Sequence, residues 1–253
     1  RDLHSFPTRR SSDLYSYFTG TVVGVGPDLT VVGTADFYAN PLSLTNLNLS
    51  GTLRSTAPVD VSAALHWTDG MMSGSGTTTV AATATLTIDG SQHILNGRTL
   101  TNNGAAVWSR HYFYFANGAV FSNAGSLELA SDDWMLNSGS VGGTFNNSGS
   151  VTKTVSSGGQ SRTNGVVFNN TGTVDVQVGT LSVESGGTSS GSLTAAAGTT
   201  LGLSGYTFTA GSSLTSAGAV NLTNDTIAGT YAVTGSTWVG GTTDFTGTVV
   251  GVG

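Results

Sequence analysis

The chain has no cysteine, one lysine, four prolines and few charges, with 8 Lys plus Arg and 14 Asp plus Glu among 253 residues. Without cysteine there are no disulfides and no thiolate metal sites. A net charge of −6 with a single Lys gives no basic footprint, so no nucleic-acid partner is expected. No apolar run approaches the ~20 residues of a membrane-crossing helix, so no membrane-spanning segment is expected here. Segments rich in the Ala, Leu, Glu and Lys that favour helices are few. His4, His66, His93 and His111 are scattered without ligand spacing, and no cofactor is expected. Ser is plentiful, yet no G-x-S-x-G elbow with Asp and His partners can be assembled. Gly24-Val25-Gly26-Pro27-Asp28-Leu29 has the form of one calcium-binding turn, but no second copy follows to complete its ligands.

Glycine is abundant, at 37 residues, and much of it falls in a returning phrase: apolar, any, Asn, any, Gly, any, apolar. The phrase starts at Leu100, Phe121, Phe145 and Phe168, and again at Leu214 with Ser216 in the Asn place. A period in the low twenties marks a solenoid, whose coils bury their apolar faces by stacking on one another. The apolar residue points inward and its polar neighbour outward, as successive strand residues must. Asn and Gly then turn the chain, since both tolerate positive φ. After each Gly a strand resumes, as in Thr173-Val174-Asp175-Val176. Stacking is expected to place Asn102, Asn123, Asn147 and Asn170 in one column and Gly104, Gly125, Gly149, Gly172 and Gly218 in another. Such columns can pass amide hydrogen bonds from coil to coil. The fold class that follows is all-β, a parallel β-helix with rungs of 21–24 residues, and parallel crossovers favour the right hand.

Residues 1–14 lack the alternation, carry Arg1, Arg9 and Arg10, and lack the apolar core of a signal peptide. Their string, RDLHSFPTRRSSDL, resembles a translated sequencing adapter and is expected to be non-native or poorly ordered. Residues 15–253 read as one continuous solenoid. Within them, Phe18–Gly26 is identical to Phe245–Gly253, so 18–244 reads as one module and 245–253 as the start of a second copy. An assembly overlap would give the same identity. Leu42-Ser43-Leu44 and Leu47-Asn48-Leu49 read as two short strands whose phase shifts at Thr45-Asn46. Further strands are expected at 79–88 and 98–108.

The string Trp67 to Thr78, the phrases FNNSGSV and FNNTGTVDV, and the run GTLSVESGGTSSGS resemble bacterial β-strand-repeat surface proteins. Those are similar in architecture to autotransporter passengers and filamentous-haemagglutinin-like adhesins. The resemblance spans most of residues 60 to 253. It implies a right-handed parallel β-solenoid, an extracellular or cell-surface place, and an adhesin-like stalk; it brings no catalytic motif. Expected partners are neighbouring modules of the same chain and a host or matrix glycan or protein.

Several residues are weighed for chemistry. Asp132-Asp133 could serve sugar hydrolysis only if a bend made them converge, and a solvated turn is the expected reading. Glu128 and Asp175 share a column with Thr152 between them, roughly 10 Å apart, near the separation of an inverting glycosidase pair. A polysaccharide-degrading β-helix enzyme is therefore the alternative to a non-catalytic chain. In the run His111 to Phe115, alternation sends Phe113 and Phe115 inward and Tyr112 and Tyr114 outward, where the tyrosines could form a carbohydrate-binding surface. Lys153 aligns with Leu129 and Val176 and should point inward, its stem along the core and its charge escaping at a corner.

Overall fold

A computed structural model describes residues 15–17 and 26–253. The expectations for residues 1–14 and for 18–25, including all but Gly26 of the amino-terminal copy of the repeated nonapeptide and the first two residues of the calcium-like turn, lie outside the described residues. Among the described residues all regular structure is β, and every strand pairing is parallel. One strand from each coil builds a 12-stranded sheet running from Tyr15–Tyr17 to Thr237–Gly240, and the other strands build a 21-stranded sheet. The result is a β-solenoid of about 11 turns.

A typical coil has three strands, Phe113–Ala116, Val120–Asn123 and Ser126–Leu129, lying beneath Trp134–Asn137, Gly143–Asn147 and Ser150–Lys153. Alternate residues are buried, so Phe121, Leu127 and Leu129 enter the core while Ser122 and Glu128 face out. Inside, Phe121, Phe145 and Phe168 stack on one another with centroids 5.2 and 4.9 Å apart. Each such pair adds about 0.5–1.5 kcal/mol beyond the area it buries.

Beside the rings runs the Asn column. Asn102 Nδ2 donates to Asn123 Oδ1 at 2.8 Å, Asn123 to Asn147 at 2.8 Å and Asn147 to Asn170 at 2.7 Å. Asn170 ends the run by donating to Ser189 Oγ at 3.2 Å. The four amides are fully buried, and each also donates to the carbonyl two residues ahead.

The glycines of this corner do a different job from the one expected of them. Gly104, Gly125, Gly149 and Gly172 do not have positive φ. A Cβ on Gly125 would overlap the carbonyl oxygen of Gly104, one on Gly149 that of Gly125, and one on Gly172 that of Gly149. Glycine is needed because backbone passes directly over backbone.

Gly218 is not in that column. Leu214 pairs with Leu193 and Tyr231, in the column of Val174, so its phrase turns the next corner of the coil. The local turn is the same, with Ser216 Oγ accepting from Gly218 N–H and donating to Gly218 C=O. The column's own continuation is Ser189 and Gly191, since a Cβ on Gly191 would overlap Gly172 O. The 46 residues from Phe168 to Leu214 therefore do not span two coils of one column but join two different corners.

Rung length also varies more widely than 21–24. Leu29 to Leu47 and Leu47 to Leu65 are each 18 residues, and Leu214 to Tyr231 is 17. Strand positions stay in register while corner loops lengthen or shrink. In the short early coils the second and third strands merge, so Leu42–Leu49 is one strand whose irregularity falls between Leu44 and Asn46. Conversely, 79–88 and 98–108 each divide at a corner, into Thr77–Val80 with Thr85–Ile88 and Thr99–Asn102 with Ala105–Trp108.

Removing one rung of the amide column tests its worth. Asn147→Ala leaves buried partners on both neighbouring coils and is expected to cost about 2–4 kcal/mol. Exposed Asn103→Ala is expected to stay within about 0.5 kcal/mol. Denaturant melts compared with hydrogen exchange at flanking coils read both values.

Candidate functional site

The outer face of the 12-stranded sheet carries the one surface that the sequence marks for binding. Tyr112 and Tyr114 are both half-buried and lie edge to face, with centroids 6.1 Å apart. The loop before them is pinned from the core side, where Trp108 Nε1 donates to Arg110 O at 3.3 Å and His111 O at 2.9 Å. His111 takes φ 63°, a left-handed turn that aims Tyr112 along the outside.

Two residues that the sequence reading did not connect complete this surface. Trp134, on the next coil, lies 5.7 Å from Tyr112, and the Arg162 guanidinium sits 4.6 Å from the Trp134 ring centre. Arg162 is paired with Glu184 at 3.2 Å. The neighbouring outward column reads Met71, Ile94, Tyr114, Leu136 on four successive coils. Trp134 is covered by Tyr112 on one side and Arg162 on the other, so the surface presents ring edges and tyrosine hydroxyls more than open ring faces. The available signal was coil spacing: Trp134 falls 22 residues after Tyr112.

Glu128 and Asp175 do share a column with Thr152 between them. Each carboxylate is engaged by the coil above, Glu128 by Thr154 Oγ1 at 2.6 Å and Asp175 by Thr194 Oγ1 at 2.6 Å. Among the described residues no three His, Asp or Glu side chains gather as a metal-binding group.

The acidic pair at 132–133 is not simply a solvated turn. Lys153 points inward in the Leu129 and Val176 column, but its charge does not escape: the side chain is fully enclosed. Nζ donates to Asp132 Oδ1 at 2.8 Å, Val155 O at 2.8 Å, Ser131 O at 3.0 Å and Ser161 Oγ at 3.1 Å. The other Asp132 oxygen accepts from Ser157 N–H at 2.6 Å and Gly159 N–H at 3.0 Å, and so folds the long corner 154–160 over the pair. Burial alone would raise the Asp132 carboxyl. The hydrogen bonds from Lys153, Ser157 and Gly159, with the Lys153 charge, hold it well below the usual carboxylate range instead. A 21-residue spacing between Asp132 and Lys153, one coil, was the signal for this contact.

Arg98 is a second enclosed cation, and no feature of the surrounding repeat marks it as one. Its guanidinium donates to Thr78 Oγ1 at 2.8 Å, Thr77 O at 3.0 Å, Ala57 O at 3.3 Å and Ser55 O, reaching back two coils. Burial lowers its pKa to about 10, which still leaves it charged at neutral pH. His93, also enclosed, donates from Nε2 to Asp89 O at 2.8 Å and Trp67 O at 3.1 Å. Burial pushes its pKa down, against the pull of those carbonyls.

No family model, curated protein or solved structure matches this chain.

Asp132→Ala strands a buried ammonium and is expected to cost about 3–5 kcal/mol, with Asp132→Ala/Lys153→Met recovering much of the loss. Acid should destabilise the chain in two windows. His93 has a folded pKa below the unfolded ~6.5, so its contribution is complete above that pH and lost below it. Asp132 has a folded pKa below the unfolded ~3.9, so its contribution is lost as pH falls under about 4. Denaturant melts across pH should show both slopes, and Asp132→Asn should flatten the lower one alone.

Proposed function

We propose that this chain is a structural and interaction module of a large repetitive bacterial surface or secreted protein, an adhesin-like stalk without catalysis. The observation that carries the reading is the unbroken parallel pairing of one strand per coil from Tyr15–Tyr17 to Thr237–Gly240, joined inside by the amide column. Stretching such a rod along its axis loads the hydrogen bonds of every strand in a coil at once, which makes it stiff. Its partners in this reading are neighbouring modules of the same chain and a host or matrix glycan or protein. An extracellular or cell-surface place belongs to the same proposal, and a cysteine-free, Thr- and Gly-rich chain is compatible with it. A non-catalytic role is supported by Glu128 and Asp175 each being tied to a threonine on an open sheet.

One observation favours a second reading, a carbohydrate-binding module. Tyr112, Tyr114 and Trp134 gather on a single outer face. Their hydroxyls and ring edges would then meet the sugar.

About 11 coils at roughly 4.8 Å give a rod on the order of 50 Å long. Small-angle scattering of the monomer should report that length with a constant cross-section; a compact sphere of 25.5 kDa would contradict the stalk. No turnover of acidic or neutral glycans is expected. If a glycan array gives binding that Tyr112→Ala/Tyr114→Ala abolishes, the second reading gains the ground.

A further inference from the structure

Asparagine followed by glycine is the dipeptide most open to spontaneous loss of the side-chain amide, because glycine puts no Cβ beside the backbone nitrogen that must attack. The chain has four such pairs, Asn96-Gly97, Asn103-Gly104, Asn117-Gly118 and Asn164-Gly165. The attacking nitrogen has to move toward the asparagine Cγ, so its own hydrogen bond decides how freely it can do so. Gly97 N–H donates to Ala116 O at 2.9 Å, and Gly165 N–H to Ser185 Oγ at 2.6 Å. Gly104 is buried at the tight crossing, where its N–H donates to Asn102 Oδ1 at 3.2 Å and a Cβ would overlap Ala84 O. Its backbone has no room to swing.

The remaining pair is held differently. Gly118 N–H reaches Val141 O only at 3.4 Å, longer than an ordinary N–H···O bond. Asn117 and Gly118 are both exposed, and a Cβ on Gly118 would meet nothing nearer than Val141 Cγ1 at 3.7 Å. Both residues take positive φ, 54° and 71°, in a turn closed by Ala119 N–H donating to Ala116 O at 3.2 Å. Two positive φ in succession ordinarily join antiparallel hairpins; here they bend a parallel coil and keep an asparagine in a sparsely populated conformation. The Asn117 amide is tied at the surface, where Nδ2 donates to Asn96 Oδ1 at 2.7 Å and water can take over that bond.

We propose that Asn117 is a spontaneous modification site, losing its side-chain amide in the folded chain to give isoaspartate and aspartate. The Gly118 nitrogen forms a bond to Asn117 Cγ and gives up its proton. The Cγ–Nδ2 bond breaks, and the nitrogen leaves with that proton as ammonia. Water then opens the cyclic imide at either carbonyl. Opening at Cγ yields aspartate; opening at the Asn117 backbone carbonyl routes the main chain through the side chain, as isoaspartate. One water is consumed and one ammonia released, with no change of oxidation state. Either product puts a carboxylate where Asn117 now donates to Asn96 Oδ1, and isoaspartate also lengthens the turn. The link to the coil below is thereby cut at the end of the Phe113–Ala116 strand that carries Tyr114. The stalk reading neither requires this chemistry nor is required by it.

The test incubates the full folded chain in mildly alkaline buffer, with a urea-unfolded sample beside it. Trypsin puts the four pairs on four different peptides, residues 55–98, 99–110, 111–153 and 163–253, so mass spectrometry follows each separately. In the folded chain, conversion at Asn117 should run roughly tenfold ahead of the other three, the factor that a surrendered hydrogen bond is worth. Fragmentation of the 111–153 peptide should place isoaspartate at position 117. Unfolding should bring the four rates together. Ser185→Ala frees the Gly165 nitrogen and should raise conversion at Asn164 by roughly the same tenfold, with an unchanged circular dichroism spectrum. The proposal is overturned if another pair converts as fast as Asn117 in the folded chain, or if Asn117 stays intact while the unfolded chain converts. Aspartate without isoaspartate, or a Ser185→Ala chain whose Asn164 is no faster, would overturn the route through the cyclic imide.

Discussion

Neighbouring coils lie about 4.8 Å apart, the spacing of hydrogen-bonded strands, and that distance decides which residue can stand at each place. Every side chain in a column has its own counterpart directly above and below, so a position is tolerable only if it can meet itself. Phenylalanine meets itself by stacking, as at Phe121, Phe145 and Phe168. Asparagine meets itself by donating from one amide to the next, as at Asn102 through Asn170. At the tightest crossing only glycine fits, because a methyl group there would occupy the space of the carbonyl oxygen beneath.

Charge is the one thing a column cannot repeat. Lys153 and Arg98 are each a single cation in a column otherwise neutral, and each is enclosed at a corner where carbonyl oxygens converge. Lys153 also recruits a carboxylate from the coil below, which in turn organises the 154–160 corner. Breaking such a pair is costly, although an apolar replacement of the whole would serve stability as well. What the cations add is individuality: each interlocks particular coils that the repeated pattern alone leaves interchangeable.

The stacked parallel architecture was legible because inward and outward residues alternate so cleanly, and because Asn and Gly return at coil spacing from Leu100 to Thr173. Legibility failed where the same local phrase served a different corner. Leu214-Thr215-Ser216-Ala217-Gly218 makes the same turn as its predecessors, and nothing within those residues states which side of the coil it turns. It failed again for contacts between coils. The register put Lys153 inside, yet its partner Asp132 was visible only by looking one coil back, and Arg98 reaches further still. On the outer face, alternation paired Tyr112 with Tyr114 along a strand but did not bring in Trp134 and Arg162 from the coils above. Neighbours along the chain are readable from alternation; neighbours along the axis need the corner lengths.

The glycine crossing has a consequence for how such a chain changes through its history. A substitution at Gly149 must be absorbed by rigid backbone on the coil below, whereas excising one coil with its corner sets glycine over glycine again. Recombination that adds or deletes whole windings is thereby gentler than many single-letter changes. Excising a winding that Arg98 or Lys153 bridges would instead leave a buried cation without its partners on the neighbouring coils.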